Sequence, residues 1–216
     1  MNDFLIFGAT GLTGSCVLSD IKKRNLDYHL FSRKILDQEL NERQTLFDSQ
    51  NIPELPESKN LIICLGYPLN FIELIHMSNE KKKLFKSVDL ELVLEISKQA
   101  EKKGIPNIII ISAVGSDMNS SNYYLKIKGM MEKEILKLNF KKIIFAKPGH
   151  LLGPREASRI DTWVRIVELF GSIFSFVFVG PLRKFKNVEA SYIAEEMINQ
   201  IVDQNSDSDY LFEVHG

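Results

Sequence analysis

The chain has 216 residues, a length that suits a single domain, and 44% of them are hydrophobic, which is enough for a full core and excludes a disordered chain. It carries 27 lysine and arginine residues against 28 aspartate and glutamate residues, for a formal net charge of −1. A balance this close to zero argues against nucleic acid or an anionic membrane surface as a partner.

Cysteine content and the first residues give an expectation about location. Cys16 and Cys64 lie in apolar surroundings, which is typical of reduced, buried cysteines and predicts a cytoplasmic protein. The first residues lack the basic leader of a signal peptide, and the apolar run at 4–7 is too short to serve as one. We expect no membrane span, because no window approaches the roughly 18 apolar residues that a span requires.

Short apolar runs alternate along the chain with amphipathic stretches of helical length. Each run is rich in β-branched or aromatic residues, as in a parallel sheet that is covered on both faces. Strands that alternate with helices are typical of βαβ units, so the sequence predicts an α/β fold with a Rossmann-type, doubly wound parallel sheet. The predicted strands are 4–7, 28–31, 44–47, 61–66, 107–112 and 142–149, and the predicted helices are 14–25, 90–104 and 123–139.

The pattern changes after residue 150. A helix around 160–170, an apolar run at 173–180, a helix around 189–203 and a strand at 210–214 predict a small C-terminal α/β extension. We interpret 1–216 as one Rossmann domain, with roughly 150–216 on the substrate side. The phenylalanine-rich segment 169–182 is too short to span a bilayer. It is expected to pack in the core or cover the active site, with a hydrophobic docking surface as the alternative.

Three evenly spaced glycines follow the first predicted strand, in the segment FGATGLTGS at 7–15. Glycines at such a point permit a tight turn, close approach of a pyrophosphate and close helix–strand packing, while the helix N-terminus offers N–H groups to phosphate. The spacing is GxxGxxG rather than GxGxxG, and a purely structural turn is the alternative. The residues expected to bind an NAD(P) cofactor here are Gly8, Thr10, Gly11, Leu12, Thr13 and Gly14.

The end of the second predicted strand bears on which dinucleotide binds. NAD-binding domains of this fold carry an acidic residue there for the ribose 2′-hydroxyl, whereas this chain has Ser32, Arg33 and Lys34. A hydroxyl and a guanidinium suit a 2′-phosphate, so we expect Ser32 and Arg33 to bind NADP in preference to NAD. The alternative is that Arg33 and Lys34 are ordinary surface charges.

A serine, a tyrosine and a lysine have the spacing of a proton-transfer site. Ser112 is predicted at the carboxyl end of a strand, where ligands bind in such sheets. Tyr124 and Lys128 are four residues apart and share one face of a predicted helix, so the ammonium is expected to lower the pKa of the phenol. Tyr124 would then exchange a proton with a substrate oxygen that Ser112 orients. Tyr123 has no lysine at the same spacing.

The four histidines have no metal-ligand spacing, and no cysteine pair joins them, so no metal site is expected. His150 either lines the pocket or is structural. The basic run at 79–87 is interpreted as a solvated loop or the start of a helix, with a phosphate or partner site as the alternative.

Together these segments resemble the atypical short-chain dehydrogenase/reductases, and among them the Tat-interacting-protein-like NAD(P)-binding oxidoreductases. The resemblance implies NADP(H) binding and catalytic positions at Ser112, Tyr124 and Lys128, with Lys128 also on the nicotinamide ribose. It places Pro148 and Gly149 beside the nicotinamide and adds Leu65 and Gly66 to the cofactor-binding set. The matching segments are GATGLTGS (8–15), SR (32–33), CLG (64–66), VDLELV (88–93), ISAVGSD (111–117), YLKIKGMMEKEI (124–135) and KPGHLLGPRE (147–156).

The chain departs from this family at one position in the predicted helix before the fifth strand. Many relatives have an asparagine there that completes a proton relay, whereas this chain has Asp89 near that position. Several atypical members bind the cofactor yet act as regulators or assembly factors. Many relatives also form dimers through two helices, which correspond to 85–103 and 122–138 here and imply a homodimer.

The sequence therefore predicts an NADP(H)-binding oxidoreductase that acts on a small carbonyl or alcohol substrate. The alternative is an NADP(H)-responsive regulatory or assembly protein without turnover. A nucleoside-diphosphate-sugar epimerase is a weaker option, because it usually needs a larger C-terminal domain than these residues supply.

Overall fold

The computed structural model describes residues 1–36, 43–49, 51–148, 150–152, 187–202 and 211–215. Strands and helices alternate along most of this length, as the apolar runs predict. The strands are β1 (Asn2–Phe7), β2 (Tyr28–Ser32), β3 (Gln44–Leu46), β4 (Ser58–Ile63), β5 (Asn107–Ile111), β6 (Lys142–Lys147), β7 (His150–Leu152), β8 (Asn187–Glu189) and β9 (Leu211–His215). The helices are α1 (Leu12–Lys23), α2 (Phe71–Ile75), α3 (Asn79–Lys86), α4 (Val93–Lys102), α5 (Tyr123–Ile135) and α6 (Ala190–Val202), with a π-helical turn at Ser87–Leu92.

Seven of the described strands form one parallel sheet in the order β3-β2-β1-β4-β5-β6-β9. The chain runs outward from β1 to β3 and then returns to pair β4 with the other side of β1. This reversal creates a crevice at the carboxyl ends of β1 and β4, which is where ligands bind in open α/β sheets. The predicted Rossmann-type, doubly wound sheet is confirmed. The two short strands β7 and β8 form a separate parallel pair.

Alternate residues of each strand enter two different cores, because successive side chains of a strand point to opposite faces of the sheet. On β1, Leu5 and Phe7 pack with α4 and α5, whereas Phe4 and Ile6 pack with α1 and α6. All four side chains are buried. Burial on both faces explains why the strands are apolar runs without alternation.

The helix before β5 begins earlier than the sequence predicts. A helix was expected over 90–104, but the helical backbone starts at Asn79, after the Ser78 side chain accepts the N–H of Lys81. It continues through the π-helical turn into α4. A π-helical turn contains an extra residue and so changes which side chains face the neighbouring elements. Asp89, in the middle of this turn, is buried.

The C-terminal expectations are met in part. Helix α6 and strand β9 correspond to the predicted helix at 189–203 and strand at 210–214. The predicted helix at 160–170 and the segment 169–182 lie outside the described residues. In the part of the chain that the model describes, no helix has the length and apolar character needed to cross a membrane.

Candidate active site

The glycine loop joins β1 to α1 at the crevice. Gly8 has a φ of +86°, in the left-handed region, and a Cβ there would lie 2.5 Å from the carbonyl oxygen of Cys64. A Cβ on Gly14 would lie 2.1 Å from the carbonyl oxygen of Gly8. Since both collisions are with backbone, no side-chain rearrangement relieves them. These two glycines are therefore required for the loop to pack against α1 and the end of β4.

Helix α1 presents an open N-terminus to the crevice. Gly11 is its N-cap and provides no side-chain hydrogen bond, and its first turn contains no acidic residue. The free N–H groups and positive dipole end of such a helix attract anions. Thr10 and Gly11 are exposed, Leu12 is half-buried, and Thr13 is buried.

Ser32 and Arg33, at the end of β2, differ in whether their side chains are available to bind a ligand. The Ser32 hydroxyl is buried, donates to the carbonyl oxygen of Lys34 at 2.5 Å and accepts from Nε2 of Gln44 at 3.1 Å. Arg33 is exposed and makes no ion pair or hydrogen bond with another described residue. Of the two predicted phosphate-binding side chains, Arg33 has the freedom to reach a ligand, whereas Ser32 holds the turn in place.

The segment after β4 connects the glycine loop to a buried ion pair. Cys64 donates its N–H to the carbonyl oxygen of Phe7 at 2.8 Å and packs against Gly8. Two residues later Gly66 is exposed, and Tyr67 donates its N–H to Oδ2 of Asp89 at 2.7 Å. Leu65, between them, is half-buried. A chain of direct contacts thus runs from β1 across β4 to the π-helical turn.

Lys128 and Asp89 form an ion pair that is almost completely buried. Lys128 Nζ lies 2.7 Å from Asp89 Oδ1, and the two side chains are 4% and 2% exposed. The ammonium also donates to the carbonyl oxygen of Ile111, the last residue of β5, at 3.2 Å. Burial alone would lower the pKa of Lys128, but the charge of Asp89 raises it above its usual value, and Tyr124 acts in the same direction. Lys128 is therefore a charged group fixed at the carboxyl end of the sheet.

Tyr124 lies one turn before Lys128 on α5, as the spacing predicts. Its ring is tilted against Phe85, with centroids 5.4 Å apart. The expectation that Lys128 lowers the pKa of Tyr124 is wrong in its net direction. Burial raises the pKa of the phenol; Lys128 lowers it; Asp89 raises it further, and the result is above the usual value. Because the Lys128 ammonium is paired with a carboxylate, its attraction for the phenolate no longer outweighs the cost of desolvating the phenolate.

The neighbouring Tyr123 has a structural partner. Its hydroxyl donates to the carbonyl oxygen of Lys82 in α3 at 3.2 Å, and the Lys82 ammonium lies 5.4 Å from the centre of its ring. Tyr123 therefore ties α5 to α3.

Ser112 follows β5 as predicted, but its hydroxyl has a partner that the sequence reasoning did not identify. The hydroxyls of Ser112 and Ser116 both donate to Oε1 of Glu132, the latter at 2.5 Å. Lys147, at the end of β6, lies 3.0 Å from the other carboxylate oxygen. Glu132 is eight residues beyond Tyr124, or about 12 Å along the helix axis, so the partner of the Ser112 hydroxyl comes from two turns further along α5.

One of the two residues that sequence reasoning missed, Glu132, follows a spacing that is visible in the sequence. Tyr124, Lys128 and Glu132 recur at intervals of four, which places all three on one face of α5. Extending the Tyr-x-x-x-Lys spacing by one turn would have found Glu132. Lys147 had no such signal, because only the strand order brings the end of β6 beside β5.

Two residues directly after β6, Pro148 and Gly149, were expected beside the nicotinamide, and the structure describes the first of them. Pro148 is buried, and its carbonyl oxygen accepts the N–H of Val114 at 3.2 Å. This bond ties the segment after β6 to the loop after β5. Gly149 lies outside the described residues, and the side chain of His150 is also outside them.

Solved structures with a similar fold include epimerases and a reductase, some of them in complex with NAD or NADPH. MoeE5 in complex with UDP-glucose and NAD has a TM-score of 0.71 and 11% identity, over 99% of this chain and 76% of that one. Human epimerase family protein SDR39U1 with NADPH has a TM-score of 0.68 and 12% identity, over 99% and 74%. A dTDP-4-dehydrorhamnose reductase from Clostridium acetobutylicum has a TM-score of 0.64 and 16% identity, over 99% and 74%. At these identities the likeness establishes the Rossmann-type fold alone.

Curated relatives give a closer relationship. Protein FMP52-2, mitochondrial, from Scheffersomyces stipitis is 32% identical over 165 residues, which cover 73% of this chain and 69% of the relative. The chain belongs to the FMP52 family. Protein FMP52-1, mitochondrial, from the same yeast is 37% identical over 75 residues, and this match spans only 33% of that relative's length. Protein FMP52, mitochondrial, from Saccharomyces cerevisiae is 38% identical over 72 residues and is matched over 31% of its length. No family model matches the chain.

The relatives correct the expected location. These FMP52 proteins are named as mitochondrial, so the cytoplasmic location that we predicted from the two cysteines is wrong by this comparison. Both cysteines are free thiols in the structure. Free thiols indicate a reducing environment, but they do not identify the compartment that provides it.

Proposed function

We propose that this FMP52-family chain is an NADP(H)-dependent oxidoreductase that acts on a small carbonyl or alcohol substrate. The observation that carries the proposal is the line of contacts from Gly8 through Cys64 and Tyr67 to Asp89 and Lys128. It aligns an anion-binding helix end and a fixed ammonium along one edge of the sheet. Solved structures with the same fold include complexes with NAD and with NADPH.

The described residues fit a nicotinamide dinucleotide. The diphosphate would lie at the N-terminus of α1, over the loop where Gly8 and Gly14 leave no room for a Cβ. An ammonium has three N–H donors, and Lys128 uses two of them on Asp89 and Ile111. The third would donate to the nicotinamide ribose. Leu65, Gly66, Pro148 and Gly149 would complete the binding surface.

The chemistry assigned to this chain is proton transfer. A bound NADPH would supply the hydride that the carbonyl carbon of the substrate accepts. Tyr124 Oη donates its proton to the carbonyl oxygen, which completes the alcohol, and water returns a proton to the phenolate. Lys128 holds the ribose and Ser112 orients the substrate oxygen. In the oxidative direction the same residues act in reverse.

A preference for NADP over NAD would depend on Arg33. An exposed guanidinium that pairs with no other described residue is available for a 2′-phosphate, to which it can donate two parallel hydrogen bonds. The Ser32 hydroxyl is already bonded at both ends of its turn. Its role in this proposal is to hold Arg33 at the mouth of the crevice.

One observation favours the alternative, a protein that binds NADP(H) without turnover. Ser112 donates its only hydroxyl proton to Glu132, so it has none left for a substrate carbonyl. Turnover would require Ser112 to exchange this partner for the substrate, or Tyr124 to act without it. The Tat-interacting-protein-like resemblance is compatible with either function.

The experiment that separates the two functions is NADPH consumption followed at 340 nm with a panel of aldehydes and ketones. The oxidoreductase proposal predicts consumption with a member of the panel and its loss in Tyr124→Phe, while NADPH affinity is retained. Tyr123→Phe is the matched control and is expected to keep its activity, because that hydroxyl bonds Lys82. A loss of consumption in Tyr123→Phe but not in Tyr124→Phe would contradict the assignment of Tyr124.

Location is proposed on the names of the relatives, and a homodimer on the resemblance of the sequence to the short-chain dehydrogenase/reductases. The names of the FMP52 relatives support a mitochondrial location, which subcellular fractionation of the source cells would test. A homodimer through helices 85–103 and 122–138 remains a proposal, and light scattering of the purified chain would test it.

A further inference from the structure

The buried pair of Lys128 and Asp89 sits beside the residue proposed to transfer the proton. Tyr124 precedes Lys128 by one helical turn, and its ring packs on Phe85, which precedes Asp89 by four residues. The same two helical segments thus meet twice: Phe85 contacts Tyr124, and Asp89 contacts Lys128. Any charge on the pair therefore acts on Tyr124 from close range and through a medium with little water.

The pair has no net charge. A lone ammonium near a phenol favours the phenolate, and an opposite charge within about 4–6 Å lowers such a pKa by about 1–3 units. Here a carboxylate at 2.7 Å from the ammonium cancels most of that field. An asparagine at the same position would leave the field of Lys128 uncompensated.

We propose that Asp89 is a positioning residue that neutralises Lys128 and thereby keeps Tyr124 in its protonated, proton-donating form. This inference rests on the proposed function, in which Tyr124 is the proton donor to a carbonyl. It deepens that function by assigning carbonyl reduction as the direction for which the site is arranged at neutral pH.

Within the described chain, few ionisable groups face the cluster of Tyr124, Lys128 and Asp89, and the signs of their charges are consistent with the inference. On α5, Lys128 is flanked by Tyr124 and Glu132. Asp89 approaches from the π-helical turn, and the Cys64 thiol approaches from the end of β4, where Lys128 acts on it. Lys128 is thus paired with Asp89, and Glu132 is paired in turn with Lys147 at 3.0 Å. Burial raises the pKa of Tyr124, Lys128 lowers it and Asp89 raises it, so Asp89 opposes the effect of Lys128 on the phenol.

A second contact of Asp89 makes it a positioning residue as well as a counter-charge. Its Oδ2 accepts the N–H of Tyr67 while its Oδ1 holds Lys128. The carboxylate therefore connects the loop after β4, where Gly66 is exposed, to the proton-donating face of α5. An asparagine amide could keep one of these contacts but would turn an N–H toward the other.

The test is a direct titration of Tyr124 in the free protein, which requires neither cofactor nor substrate. The chain has 6 tyrosines, which ¹³Cζ labelling makes visible by NMR, and Tyr124→Phe identifies the signal of Tyr124. In Asp89→Asn we expect the titration midpoint of Tyr124 to move down by about one pH unit or more, because Lys128 is then unpaired. Glu91→Gln is the matched control, since Glu91 lies in the same turn, is exposed and pairs with Lys86. It is expected to leave the midpoint unchanged.

The double variant Asp89→Asn/Lys128→Met separates charge from structure and serves also if Asp89→Asn does not fold. It removes both charges of the pair, so we expect the Tyr124 midpoint to stay near that of the wild type. A clear rise in the double variant would mean that Lys128 acts on Tyr124 without cancellation by Asp89, and would overturn the inference. An unchanged midpoint in folded Asp89→Asn would also overturn it. If the chain failed to bind or consume NADPH, the proposed function would be contradicted. The effect of Asp89 on the Tyr124 midpoint is measured without NADPH and would be unaffected by that failure.

Discussion

Asp89 Oδ1 lies 2.7 Å from Lys128 Nζ, in a pair whose two side chains are 2% and 4% exposed. The pair joins the π-helical turn to α5, and its second carboxylate oxygen holds the loop after β4 through the N–H of Tyr67. Three segments that surround the crevice are thus fixed by one carboxylate. Its removal affects both stability and the geometry of the site.

Asp89→Ala is predicted to destabilise the chain by about 3–5 kcal/mol, because it leaves a buried ammonium without its partner. Urea unfolding followed by circular dichroism measures the change. The double variant Asp89→Asn/Lys128→Met is expected to recover much of the loss, since a neutral buried pair has no uncompensated charge. A loss of less than about 1 kcal/mol in Asp89→Ala would show that the pair is solvated like a surface ion pair.

Gly14→Ala is predicted to disrupt the glycine loop, because its Cβ would lie 2.1 Å from the carbonyl oxygen of Gly8. We expect a loss of about 3 kcal/mol or more in unfolding free energy, as for severe overpacking, together with loss of NADPH-induced thermal stabilisation. Ser15→Ala is the control on the same turn of α1. Its exposed hydroxyl donates to the carbonyl oxygen of Leu12 and to no other described residue, so both measurements should stay near the wild type. Wild-type behaviour of Gly14→Ala would refute the close packing of loop and helix.

Arg33→Ala is predicted to weaken NADPH binding by about tenfold or more and to leave NADH binding unchanged, because only NADPH offers a 2′-phosphate to the guanidinium. Fluorescence titration of the bound reduced nucleotide measures both affinities. Lys34→Ala is the adjacent control and is expected to change neither by a comparable factor. Equal losses for the two nucleotides in Arg33→Ala would remove the case for NADP.

Cys64 gives a prediction for stability at alkaline pH. Burial raises the pKa of its thiol from 9.0 to about 12, with Cys16 acting in the same direction and Lys128 against it. A raised folded pKa means that the contribution to stability is complete below pH 9 and is lost between pH 9 and about 12. The unfolding free energy of Cys64→Ala should therefore decline less steeply above pH 9 than that of the wild type. The Cys16→Ala profile is the comparison, and identical slopes in Cys64→Ala and wild type would contradict the burial of this thiol.

The fold could be predicted from the sequence because its strands are buried on both faces and are therefore continuous apolar runs. Phe4 to Phe7 show this directly, since alternate residues enter two cores and all are apolar. The glycine loop was predictable for a related reason: a strand, a turn and a helix follow one another within a few residues. The sequence leaves 79–87 open between a solvated loop and the start of a helix, because these turns are rich in lysine and the Ser78 cap rather than an apolar stripe marks the beginning of the helix.

The candidate site was predictable where it depends on local spacing and not where it depends on the fold. Tyr124 and Lys128 lie on one helix, so their shared face follows from their separation. The partners of this face come from distant segments: Asp89 from the π-helical turn and Lys147 from β6. The sign of the Tyr124 pKa shift depends on those partners and on burial, so spacing alone gave the wrong direction.

The central claim is that the crevice between β1 and β4 binds a nicotinamide dinucleotide. Isothermal titration calorimetry of the full chain with NADPH tests it most directly. The account predicts saturable binding of one NADPH per chain, which Gly14→Ala abolishes and Ser15→Ala retains. The absence of saturable binding of NADPH and of NADH to the folded wild-type chain would contradict it.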